Sequence, residues 1–68
     1  MSTKVKSSVI SEFNYNEKTS NLDITFNNGN IYRYKKVPND DVQAMMNAKS
    51  VGTYFNNNIR DKYKSSKI

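Results

Sequence analysis

The sequence predicts an α+β domain: a three-stranded antiparallel β-meander followed by two C-terminal helices packed on one sheet face. Three observations predict it. Apolar residues alternate with a period of two through the first half of the chain, and an Asn28-Gly29 pair sits between two such runs. After Pro38 the apolar spacing changes to three and four residues, the helical period.

The first strand is expected from Val9 to Tyr15, with Val9, Ser11, Phe13 and Tyr15 on one face. Asn16 to Asn21 is polar and turn-like. Leu22, Ile24 and Phe26 then alternate with Asp23 and Thr25, the pattern of a half-buried strand. Asn28-Gly29 marks a hairpin because both residues tolerate positive φ. The third strand runs from Asn30 to Lys36, with Tyr32 and Tyr34 on one face and Ile31, Arg33 and Lys35 on the other.

Pro38 holds Val37 extended and ends the sheet, and Asn39 or Asp40 can cap the helix that follows. Val42, Met45, Met46 and Lys49 stand at i, i+3, i+4 and i+7, a short helix with a narrow apolar stripe. Ser50 interrupts it and caps a second helix, on which Val51, Tyr54, Phe55, Ile59 and Tyr63 share a face. Those helix faces need a cover, and the Leu22/Ile24/Phe26 face supplies one. The chain thus reads as a single domain, residues 1–68, with a core over about 5–63 and a mobile basic tail at 64–68.

Composition limits the chemistry. A chain of 68 residues buries only about 60% of the surface its unfolded form exposes. Such a core rarely supplies more than roughly 3–5 kcal/mol. With no cysteine and no histidine, disulfides are excluded and a structural zinc site is disfavoured, so oligomerisation is the remaining staple. A Cys–His or Ser–His–Asp arrangement cannot be assembled. The acids Glu12, Glu17, Asp23, Asp40, Asp41 and Asp61 are scattered except for Asp40/Asp41. That pair follows Pro38 as a helix start would, which outweighs a metal-binding reading. The expectation is therefore a non-enzymatic binding protein without a cofactor. No apolar run approaches the ~20 residues of a membrane span, and the N-terminus lacks the h-region of a secretory signal, so a cytoplasmic location is expected.

Eleven Lys and Arg against six Asp and Glu leave a net charge of +5, which favours an anionic partner. Tyr32-Arg33-Tyr34-Lys35-Lys36 interleaves aromatic rings with cations: a ring can stack on a base for about 1–3 kcal/mol, and a neighbouring cation can meet phosphate. The competing reading puts both tyrosines in the core and the cations on a soluble edge. Ser50-Val51-Gly52 opens a helix, where backbone N–H groups attract anions and glycine permits close approach. Equally, Ser50 can be a plain cap and Gly52 a packing site. Arg60, Lys62, Lys64 and Lys67 make the C-terminus basic, as Lys4 and Lys6 do the N-terminus, and solvated charge accounts for much of this. Asparagine is a poor helix former, so Asn56, Asn57 and Asn58 either read base edges or reflect compositional bias.

Val5-x-Ser7-Ser8, Leu22-x-Ile24-x-Phe26, Gly29, Tyr32-x-Tyr34, Val37-Pro38, Ala48-x-Ser50-x-Gly52, Tyr54-Phe55-Asn56 and Ile59 together resemble the KTSC family. This short domain is named for its place at the C-terminus of some lysyl-tRNA synthetases and also occurs alone in small bacterial and phage proteins. The resemblance implies a β-meander followed by helices, with RNA binding suggested by the synthetase context. A standalone copy, bacterial or phage-encoded, is expected to work by binding. Small phage proteins with subunit-shared pockets can act as sponges for cyclic nucleotide signals of antiphage defence. The expected function is accordingly a homo-oligomer, dimer or tetramer, that sequesters a small nucleotide such as a cyclic dinucleotide. Tyr32 or Tyr34 would stack a base, and Arg33, Lys35 and Arg60 would meet phosphates. Ser7, Ser8, Ser50 and Asn56 would donate or accept hydrogen bonds, and Gly52 would open the backbone. An RNA-binding module and a protein-binding adaptor are the alternatives.

Overall fold

The hairpin at Asn28-Gly29 forms, with a loop one residue longer than the tightest turn. A computed structural model of the protein describes residues 2–4, by backbone alone, and residues 7–68. In it Phe26 N–H donates to Asn30 O (2.8 Å) and Gly29 N–H to Phe26 O (2.9 Å). Of the two residues, only Gly29 takes positive φ (+91°), the place in a three-residue hairpin loop where the chain needs it. This turn joins β3 (Asn21–Phe26) to β4 (Ile31–Tyr34). Before it, β2 (Ile10–Asn16) pairs with β3 through a turn that Asn16 organises by accepting the Lys18 amide at 2.9 Å.

Sequence reasoning misplaced the inward face at the start of β2. Ile10 pairs with Phe26 and Glu12 with Thr25, so Ser11 is an extra residue, a β-bulge. The bulge resets the alternation: Ile10 is fully buried, while Val9 and Ser11 leave the core face. Phe13 and Tyr15 are buried as the spacing implies.

Among the described residues two short strands extend the meander to five, in the order β1-β2-β3-β4-β5. β1 (Ser2–Lys4) pairs with β2, and β5 (Ser65–Lys67) pairs with β4, both antiparallel. The segment 64–68, expected to be a mobile tail, is therefore tied to the sheet. The open edge of β4 explains this, since Lys35 N–H donates to Lys64 O (2.9 Å) and Ile68 N–H to Ile31 O (2.9 Å). Val5 and Lys6 lie outside the described residues, as does the side chain of Lys4.

Helix α1 (Asn39–Asn47) begins at Pro38 without a side-chain cap, so Asn39 and Asp40 sit inside the helix instead of capping it. Pro38 O accepts from the amides of Asp41 (3.1 Å) and Val42 (3.3 Å), and its own missing N–H is not needed at that position. Val42 and Met45 are buried, whereas Met46 is exposed. Helix α2 (Val51–Asn58) is capped by Ser50, whose Oγ accepts the Thr53 amide at 3.2 Å.

Both helices cover the face that bears Leu22 and Ile24, and Phe55 and Ile59 complete the core. Full burial of each such side chain contributes about 1.5–3 kcal/mol, which explains how so small a core holds. Tyr15 lies under this layer, and its hydroxyl donates to Val37 O at 2.7 Å, fastening β2 to the link before α1.

Candidate functional site

An edge-to-face chain of four rings links β3 and β4 to α2. Tyr32 meets Phe26 at 5.7 Å between centroids, Phe26 meets Phe55 at 5.6 Å, and Phe55 meets Tyr34 at 5.2 Å. Alternation on β4 puts Tyr32 and Tyr34 on one face, as the spacing predicted, and their pairing with Ile24 and Leu22 makes it the helix side of the sheet. Tyr34 is a core residue, 4% exposed, and Tyr32 is half-buried with its outer surface at the rim. Burial pushes the Tyr34 phenol up from its ordinary pKa, against its hydrogen bond with Ser65 and the nearby charge of Arg60.

Above these rings lies a groove of about 460 Å³. Val9, Phe26, Tyr32 and Tyr34 line it from the sheet side; Asn56, Arg60 and Asp61 come from α2 and the turn after it, and Ser65 from β5. A smaller depression of about 240 Å³ adjoins it, lined by Ser7, Ser8, Lys49, Ser50, Gly52 and Thr53, and Val9 and Asn56 border both. Eight of the ten residues singled out from sequence thus line one continuous surface: Ser7, Ser8, Tyr32, Tyr34, Ser50, Gly52, Asn56 and Arg60.

Arg33 and Lys35 do not join them. Arg33 alternates to the opposite sheet face, where its Nε and Nη2 bind the carboxylate of Asp23 at 2.9 and 3.1 Å, a forked ion pair across β3 and β4. Asp23 holds the guanidinium pKa above its ordinary value through that hydrogen bond and its charge. Lys35 stands exposed beyond the end of β4 and lines neither depression. Strand parity, applied to the Tyr-Arg-Tyr-Lys run, separates rings from cations.

Gly52 and Ser50 have structural work in this surface. Gly52 is buried, and a Cβ there would come within 2.9 Å of Ser7 Oγ, so its smallness lets α2 approach the segment before β2. Ser7 Oγ in turn accepts from the amides of Val9 (3.2 Å) and Ile10 (3.4 Å). Ser50 caps α2, and its hydroxyl also donates to Thr53 Oγ1 at 3.0 Å. Asn58 turns its amide back to Tyr54 O (3.2 Å), whereas Asn56 borders both depressions.

Sequence reasoning missed Val9, Phe26, Asp61 and Ser65 as lining residues of the groove, and Lys49, Val51 and Thr53 as lining residues of the depression beside it. Phe26 was legible as part of the covered face, and its position at the strand end opens it to the groove. Ser65 enters only through the pairing of β5, for which three residues carry too little periodicity to be seen.

A second cluster lies outside the groove. The Asp41 carboxylate accepts from the hydroxyls of Tyr63 and Tyr54, the latter at 3.3 Å, and meets Lys62 Nζ at 3.5 Å. The Tyr63 hydrogen bond holds the Asp41 carboxyl below the usual range, opposed by partial burial and assisted by Lys62. Asp40 and Asp41 both occupy the first turn of α1, and Asp41 ties that turn to α2 and the segment beyond it.

Comparison with known proteins supports the architecture. A region of the lysine–tRNA ligase of Nostoc punctiforme is 40% identical over 65 residues, 96% of this chain but 12% of that protein. An uncharacterised protein of Stutzerimonas stutzeri is 36% identical over 52 residues, 76% of this chain and 73% of its own length. The chain spans about 12% of the tRNA ligases it matches. The crystal structure of a KTSC domain protein from Yersinia pestis superposes with a TM-score of 0.93 at 33% identity, covering 100% of this chain and 96% of that one. The KTSC domain profile itself matches residues 6–63, and the chain belongs to the KTSC domain family.

Proposed function

We propose that this KTSC domain is a non-catalytic binding protein that captures a small nucleotide, such as a cyclic dinucleotide, in the groove at Tyr32, Asn56 and Arg60. The observation that carries the reading is the convergence of an aromatic rim, a side-chain amide and a guanidinium on one groove. These are the groups that stack a base, read its edge and neutralise a phosphate. Asp61 adds an acceptor suited to a base amino group or a ribose hydroxyl. Two copies of the chain presenting this groove to one another would enclose a ligand more fully than one copy does, so the reading places capture between subunits. Binding without turnover makes the protein a sponge for its ligand. Calorimetric titration with cyclic dinucleotides and mononucleotides tests this, with binding at low micromolar or tighter concentrations expected. Absence of heat at high micromolar concentrations of every nucleotide would overturn it.

RNA binding is the second reading, favoured by the 40% identity to a region of a ligase that acts on tRNA. Single-stranded RNA would track the adjoining depressions, and log affinity would fall with log salt by about 0.7 for each phosphate neutralised. A nearly flat salt dependence excludes it.

A further inference from the structure

We infer that Lys67, on β5, is a second phosphate contact of the groove, which suits it to ligands with two separate phosphates over those with one. This rests on the nucleotide reading above and names the ligand class within it.

The register pairs Tyr32 with Lys67 and Tyr34 with Ser65. Lys35 pairs with Lys64 and Ile31 with Ile68 through backbone hydrogen bonds, so the Tyr32–Lys67 and Tyr34–Ser65 pairs between them are of the non-hydrogen-bonded kind. Side chains at such positions point to the same face and approach most closely, with Cβ atoms about 4.5–5.5 Å apart. Ser65 confirms the parity, since it lines the groove together with Tyr34, its partner across the strands. Lys67, two residues on, therefore projects on the groove side next to the Tyr32 ring.

Arg60 reaches the same groove from the other direction, beyond α2. Two cations from different elements thus serve the groove that Tyr32 lines. A mononucleotide with a single phosphate satisfies one of them and leaves the other solvated. A cyclic dinucleotide, with a phosphodiester on each side of a base, engages both. Lys67 lies past residue 63, where the family match ends, so this contact belongs to the C-terminal strand and not to the matched region.

The test is calorimetry on the full chain with cyclic di-AMP, cyclic di-GMP and cyclic GMP–AMP, alongside AMP and GMP, for wild type, Lys67→Gln, Lys67→Arg and Arg60→Gln. Lys67→Gln is expected to keep the wild-type melting temperature and to weaken the bound cyclic dinucleotide by about three- to tenfold, while mononucleotide affinity stays within about twofold. Lys67→Arg restores cyclic dinucleotide binding. Unchanged dinucleotide affinity in Lys67→Gln, with loss in Arg60→Gln, overturns the role of Lys67 and leaves the groove reading standing. Equal losses for both ligand classes overturn the second-phosphate role. A wild-type protein that binds none of the five overturns the groove reading and this one together.

Discussion

Gly52 sits so close to Ser7 that a methyl group on its α-carbon would lie 2.9 Å from the Ser7 hydroxyl oxygen. Alanine is the better helix former by up to about 1 kcal/mol, but overpacking a closed contact costs about 1–3 kcal/mol. Gly52→Ala is therefore expected to destabilise the fold by about 1 kcal/mol net, read from the midpoint of urea unfolding. The same substitution in a Ser7→Ala background, where the clashing oxygen is gone, should cost less. Stabilisation by Gly52→Ala in the wild-type background would show that helix propensity outweighs packing there.

The Tyr15–Val37 hydrogen bond joins residues 22 apart in sequence inside the core. Tyr15→Phe keeps the ring and removes the donor, leaving a buried carbonyl without that partner. A loss of about 1–2 kcal/mol is expected in chemical denaturation. An unchanged midpoint would mean that water or another donor replaces the hydroxyl.

Acid should loosen the contact between α1 and the chain beyond α2. The Asp41 carboxyl is held below its ordinary range in the fold, chiefly by Tyr63, so the stability it contributes is present above the unfolded value of about 4. It is lost as pH falls through the lower folded value. Wild-type stability should therefore drop below about pH 4, and Asp41→Asn, which cannot titrate, should show a shallower drop. Urea midpoints at neutral pH and across the acid range measure the difference; parallel acid limbs for the two proteins would refute it.

Arg33 and Arg60 make a matched pair of controls for the groove. Arg33 is engaged by Asp23 on the opposite sheet face, so Arg33→Gln should leave nucleotide affinity within about twofold of wild type. Arg60→Gln, which removes the guanidinium from the groove, should weaken binding about tenfold or more. Loss of binding in Arg33→Gln alone would move the site to the other face of the sheet.

The difference between these two arginines also shows how far the site could be read in advance. Strand parity already separated Tyr32 and Tyr34 from Arg33 and Lys35, yet grouping them as one binding run set that parity aside. Ser7, Ser50, Gly52 and Asn56 were legible as candidates by residue type, and their assembly around Val9 depends on α2 crossing close to the start of β2. Val9 itself was misread, because a single bulged residue at Ser11 inverts every inward assignment before it. A bulge leaves no mark in hydrophobic alternation beyond making it loose.

Local pattern alone determined the central three strands, the glycine turn, the break at Pro38, the Ser50 cap and the two helices, because each follows from the backbone preferences and apolar spacing of neighbouring residues. Tertiary structure decided the rest. The pairing of Ser65–Lys67 with β4, the bulge at Ser11 and the convergence of Tyr32 and Arg60 on one groove depend on contacts between segments distant in sequence. Such contacts are stabilised by shared backbone hydrogen bonds and a common core, neither of which short runs of three or four residues encode.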